Sequence, residues 1–252
     1  MLVAAAVCPS PPILVPVVAA GAARELDDLR QACDRAVAGV LAAGPDLMVL
    51  LGTGSLTRSY GSGAVGSLAG FGVDVTVALG PRRAGGPVLP PSLTVGAWLL
   101  GRSGWTGDVQ GLALASDTAS ADCATPAADL RALPGRVGLL VLAEGSATRT
   151  DKAPGAFHPD AETFDAALAD ALEAPDPAAL AALDERRAAE VWAAGRAPLA
   201  VLGHAATGSD WEAQVLHASA PYGVGYLVAA WTARETARVG GAGAFPAGAA
   251  GG

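Results

Sequence analysis

The chain of 252 residues is 52% hydrophobic and 16% charged, enough to bury one large core, and a single domain is the simplest organisation it supports. Its net charge of −8, with no basic run longer than Arg82-Arg83 or Arg186-Arg187, argues against a nucleic-acid or anionic-membrane partner, both of which need clustered Lys and Arg. Cys8, Cys33 and Cys123 are widely spaced and form no CxxC pair, which fits a reducing cytoplasm rather than a disulfide scaffold.

Residues 2–7 form an apolar run that reads as a buried strand. A signal peptide is the weaker reading, because no basic segment precedes the run and Pro9, Pro11, Pro12 and Pro16 interrupt the segment after it. No apolar run reaches the ~18 residues that a membrane helix needs. The prolines after the strand fix φ and remove N–H donors, so they frame Ser10 in a stiff loop at a strand end. Open α/β sheets place their sites at such ends.

Residues 22–43 read as a helix, with Leu26, Leu29, Cys33, Val37, Val40 and Leu41 on one face and Arg24, Asp27, Asp28, Arg30 and Asp34 off it. Gly44-Pro45 stops it. Residues 47–51 read as a second buried strand, with Gly52-Thr53-Gly54-Ser55 at its end. That segment looks like a phosphate cradle but lacks the Lys-Ser/Thr ending of a P-loop, and a turn is favoured. Residues 60–72 read as an exposed loop, 73–79 as a strand, 80–91 as a loop, 93–100 as a helix and 109–115 as a strand. Next come a short helix at Ala124–Ala132 and a strongly buried strand at Val137–Leu142.

Residues 143–155 are a polar loop directly after that strand. Residues 161–195 read as helical with a break near Pro175 and Pro177, and 198–206 and 222–231 each as strand or helix. The domain is expected to span 1–234, with 235–252 a disordered Gly/Ala-rich tail. Alternating strands and helices imply an α/β fold: a mostly parallel central sheet with helices on both faces.

The residues at three strand ends carry a resemblance. They are Cys8-Pro9-Ser10-Pro11-Pro12, the loop after strand 47–51, and Glu144-Gly145-Ser146-Ala147-Thr148-Arg149 with Lys152-Ala153-Pro154-Gly155 and Phe164-Asp165. Together they resemble the class III extradiol ring-cleavage dioxygenase B-subunit (LigB-like) superfamily, which includes the Memo-like proteins. At these places that family typically reads Pro-His-Pro-Pro, Ser-Pro-His, and Gly-Asp-Leu-Ser-His-Arg with Ala-Pro-x-Gly and Phe-Asp. The ending Ala220-Pro221-Tyr222-Gly223-Val224-Gly225-Tyr226 resembles an actinobacterial subgroup of it. The resemblance spans residues 1–232. It implies a LigB-like three-layer architecture and, in typical members, Fe(II) held by two histidines and a carboxylate, with a further histidine as acid/base.

Carried over by position, the histidines are replaced: the first ligand position is Ser10, the second falls on the Thr53 loop, and the acid/base position falls on Thr148. Neutral hydroxyls are poor Fe(II) ligands and titrate far from neutrality. No metal and no cofactor is therefore expected. His204, Glu212 and His217 lie close in sequence but fit no zinc spacing, and His158 is better read as loop structure. No G-x-S-x-G nucleophile elbow occurs.

The candidate residues of a degenerate cleft are Ser10, Thr53, Ser55, Thr148, Asp151, Lys152 and Tyr222. Lys152 could hold an anion or act as a desolvated base, but a structural ion pair or helix cap is favoured. The leading expectation is a cytoplasmic pseudoenzyme with a dioxygenase-like fold that binds a small-molecule ligand or a partner. The alternatives are an active extradiol dioxygenase, or a metal-independent hydrolase or transferase using Asp151, Lys152 or Glu144. A homo-oligomeric assembly subunit is a further reading.

Overall fold

The structure, a computed structural model, describes residues 1–81 and 85–234. The tail expected to be disordered lies outside the described residues. Nine strands form among them: β1 (Leu2–Cys8), β2 (Leu47–Gly54), β3 (Arg58–Tyr60), β4 (Val65–Ser67), β5 (Thr76–Ala78), β6 (Asp108–Ala115), β7 (Val137–Leu142), β8 (Trp211–Ser219) and β9 (Tyr226–Ala233). The α-helices are α1 (Pro16–Ala19), α2 (Asp27–Ala42), α3 (Pro91–Arg102), α4 (Ala124–Ala132), α5 (Ala161–Glu173), α6 (Pro177–Ala181), α7 (Glu185–Glu190) and α8 (Arg196–Ala206).

Seven strands build one sheet in the order β3-β6-β2-β7-β1-β9-β8. Its centre is parallel: β7 lies between β1 and β2, with Val141 level with both Val7 and Leu51, and β6 continues beside β2. The flanks are antiparallel, β3 on β6 at one side and β9 then β8 on β1 at the other. Every residue of β7 is buried, because parallel strands covered on both faces are apolar throughout rather than alternating.

The pleat sorts these side chains into two layers. Ala4, Ala6, Cys8, Met48, Leu50, Leu140 and Leu142 face α2 and α3. Ala5, Val7, Val49, Leu51, Leu139 and Val141 face α4, α5, α6 and α8. The result is the expected α/β sheet with helices on both faces. All three cysteines are free and buried. Among the described residues, no helix is long and apolar enough to cross a membrane.

Several expectations change. The helix begins as a 3-10 segment at Ala20–Leu26 and becomes α-helical at Asp27. Arg30, expected off the core face, is buried. Its guanidinium donates to Leu14 O at 3.2 Å and to Ala23 O, and pairs with Asp27 at 2.5 Å. It thereby ties the opening loop to the start of α2 through carbonyls that the short helical turns leave free. Residues 60–72 are not simply a loop: β4 and a 3-10 turn lie there, and Ala64 and Leu68 are fully buried.

Gly52 to Gly54 is not a turn either, since β2 stays paired with β6 as far as Gly54 and Ala115. Residues 198–206 resolve as helix and 222–231 largely as strand β9. Strand β8 was not foreseen. Its Trp211 rests against Trp231 of β9, ring centroids 5.9 Å apart.

Candidate functional site at the strand ends

The parallel strands β1, β2, β6 and β7 all end at one edge of the sheet, and the loops after them carry the polar groups. Ala143 N donates to Cys8 O at 2.9 Å, so the chain leaving β7 stays beside the chain leaving β1. One residue later Glu144 reaches Ser10. The Ser10 N and Oγ both donate to Glu144 Oε1, at 2.6 and 3.0 Å. The prolines around Ser10 hold these donors in place.

Burial pushes the Glu144 carboxyl above the usual range, and the two Ser10 donors pull against it. Tyr226, at the start of β9, stands near enough for the Glu144 charge to act on its phenol, which burial, Glu144 and Tyr222 all push upward. Tyr222 in turn donates to Glu25 Oε2 at 2.9 Å. The direct contacts here are thus Ser10 with Glu144 and Tyr222 with Glu25.

The loop after β7 is held by Asp165 of α5. Asp165 is buried and accepts from Ser146 N at 2.6 Å, Ser146 Oγ at 2.7 Å and Arg149 at 3.2 Å. The loop also pairs with the segment before β9: Gly145 N donates to Gly225 O at 2.8 Å and Gly225 N to Ser146 O at 2.7 Å. A Cβ on Gly145 or on Gly225 would collide with the Asp165 carboxylate, so the close approach requires glycine at both.

Thr148 is buried, and its hydroxyl donates to Val191 O at 3.2 Å. Asp151 and Lys152 are exposed at the loop tip and hold no ion pair among the described residues, so the favoured structural ion pair for Lys152 does not form there. His158 accepts from Asp160 N at 3.2 Å, as loop structure.

Thr53 and Ser55 share a cavity of about 620 Å³ with Tyr60, Val88, Ser92 and Ser116. Gly52 is required beneath it, because a Cβ there would lie 2.7 Å from Ser92 Oγ, which donates to Thr53 O at 2.6 Å. Ser116 also borders a second cavity of about 490 Å³, beside Trp192, Glu185 and Arg196. Trp192 has φ 56° and stays 58% exposed, an unfavourable conformation for a bulky residue. Leu56 and Val88 are exposed on the first cavity.

The candidate residues thus fall into separate groups along one edge. Thr53 and Ser55 come together; Ser10 bonds Glu144; Tyr222 bonds Glu25; Thr148 is turned into the loop; Asp151 and Lys152 face solvent. The resemblance implies that Ser10, the Thr53 loop and Thr148 converge on one pocket, but no hydrogen bond joins them to one another, and neither Ser10 nor Thr148 lines the cavity that holds Thr53.

The hydroxyls that occupy the resemblance's imidazole positions do not fit Fe(II), because they are neutral oxygen donors, and Ser10 and Thr148 already serve protein acceptors. His204, Glu212 and His217 do not assemble. His204 belongs to α8, Glu212 pairs with Arg234 at 3.4 Å, and His217 bonds Ser219 at 2.7 Å. Among the described residues, no group of three or more His, Cys, Asp or Glu is placed to hold a metal ion.

Sequence reasoning weighed Glu144 only as one option and passed over Tyr226 and Trp192. The available signal for Glu144 was a carboxylate directly after the apolar run that ends at Ala143.

No protein-family model matches the sequence, and no curated protein matches it. The fold is similar to that in a crystal structure of uncharacterized protein JW3007 from Escherichia coli K12. The two are 14% identical over 91% of this chain and 99% of that chain, with a TM-score of 0.56. At that identity the likeness shows the fold alone.

Proposed function

We propose that this protein is a LigB-like relative that has lost Fe(II) binding and ring cleavage, and that it holds a small-molecule ligand in the cleft at the ends of β2 and β6. The observation that carries this reading is the replacement of imidazole at three separate strand ends by Ser10, the Thr53 loop and Thr148. The exposed apolar side chains Leu56, Val88 and Trp192 around the adjoining cavities support ligand binding, since apolar surface at a concave site favours an occupant. The test is oxygen uptake by protein supplied with Fe(II) and a catechol. The reading expects uptake no faster than the protein-free control, and catalytic uptake that tracks protein concentration overturns it.

One observation favours a second reading, metal-independent acid/base catalysis. Glu144 carries a raised pKa beside the Ser10 hydroxyl, which donates to it at 3.0 Å. A hydrolase of this kind would cleave nitrophenyl esters with a pH dependence that Glu144→Gln abolishes. Turnover unchanged by that substitution removes Glu144 from the chemistry.

A further inference from the structure

We infer that the groove between α4 and the β6–β3 edge of the sheet binds an organic cation with an apolar body, at a site that adjoins the strand-end cleft and shares Arg58 with one of its cavities and Asp117 with the other. The sheet is wider than the helical layer over it. On the α4 side, β2 is covered, but the same face of β6 and β3 extends past the helix. Gln110, Leu112 and Leu114 alternate onto that face, and Ser59 pairs level with Leu112. The resulting cavity is about 750 Å³, within the size range that drug-sized ligands occupy.

Its floor is apolar: Val49, Leu112 and Leu114 from the sheet, Leu130 from α4, and Leu133 just beyond it. Val49 and Leu114 belong to the buried core, whereas Leu112 is only half-buried. An occupant would therefore complete burial of a face that the chain leaves partly open.

The rim selects the charge. Asp117 lies just past β6, Asp122 precedes α4, and Asp129 lies on α4; all three are exposed and border the cavity. None of them holds an ion pair among the described residues. Among the described lining residues the cation is Arg58, which lies over the Tyr60 ring, 5.4 Å from its centroid, and Arg196 stands behind the rim with its guanidinium donating to Thr118 O. The start of α4 adds a partial positive charge, which Asp122 directly before the helix offsets. Three exposed carboxylates outnumber the guanidiniums of Arg58 and Arg196 at the mouth, which favours a cation over an anion there.

The probe is para-tert-butylbenzylamine, compared by calorimetric titration of the full chain with para-tert-butylbenzyl alcohol and para-tert-butylbenzoate, which share its body. The expected order is amine over alcohol by about tenfold, with benzoate weakest, and the preference should shrink as salt rises. Combined Asp117→Asn, Asp122→Asn and Asp129→Asn should bring the amine to within about twofold of the alcohol while leaving the alcohol unchanged. Thr125→Trp, at an exposed position on the wall, should weaken amine and alcohol alike.

If the combined variant loses its melting transition, the salt titration and Asp129→Asn alone carry the test, with a reduced amine preference expected. Equal affinity for amine and alcohol, no binding of any probe, or a preference untouched by the Asn substitutions would overturn the assignment. So would a dimer by light scattering that Thr125→Trp dissociates, because the groove would then belong to a second copy of this chain.

Discussion

Glu144 stands where β7 gives way to the site loop, with most of its surroundings protein and both Ser10 donors on one oxygen. Its carboxyl ionises at higher pH in the folded chain than in the unfolded one. The stability this group contributes is therefore fully present below the ordinary glutamate range, ~4.3, and is lost as pH rises through the folded value. Glu144→Gln keeps an acceptor for Ser10 without the charge. It should raise stability near neutrality and flatten the fall of Tm that sets in above the ordinary glutamate range, as measured by thermal unfolding across pH.

Asp165 anchors the same loop from α5. It accepts three donors, and two of them come from the fully buried Ser146. Asp165→Ala should cost about 3 kcal/mol in urea unfolding, because the Ser146 donors are left unsatisfied and Arg149 keeps only Glu162 of its two carboxylate partners. At this scale the prolines made the stiff loop that carries Ser10 legible. It could not see that the serine hydroxyl is engaged by Glu144, because that contact crosses 134 positions.

Among the elements, those buried on both faces were the legible ones. Strands β1, β2 and β7 are continuous apolar runs, and α4 and β7 fall at the expected bounds. Strand β8 was not legible: it is an edge strand, Glu212 and Gln214 face out, and Ala213 and Ala218 give a weak apolar rhythm. The segment 60–72 misled because its glycines read as loop, while Ala64 and Leu68 anchor it.

The covering layer depends on a close approach that composition does not announce. A Cβ on Gly203 of α8 would lie 2.5 Å from both Ala181 N and Pro177 O, at α6. Gly203→Ala should therefore force α6 away and destabilise by about 2 kcal/mol despite the higher helix propensity of alanine, as read by thermal unfolding. An unchanged or raised Tm would mean that α6 shifts freely.

For the molecule as a whole, alternation of strands and helices was enough to foresee a layered α/β fold, and the parallel centre of the sheet brings the three strand-end segments to one edge. The antiparallel flanks were not foreseen, because they depend on β3, β8 and β9, whose short or half-exposed patterns carry little direction information. The gathering of Ser10 with Glu144, and the separation of Thr148 from them, arise from loop geometry that no periodicity encodes.

The proposal turns on whether this edge can hold iron, and its hydroxyl donors are expected not to. The most direct test is anaerobic reconstitution of the full chain with Fe(II), removal of unbound metal, and quantification of iron per chain. Well under about 0.1 equivalent is predicted, because neutral hydroxyls stand where imidazoles are needed. One equivalent of tightly held iron, lost on Ser10→Ala or Thr148→Ala, would contradict it.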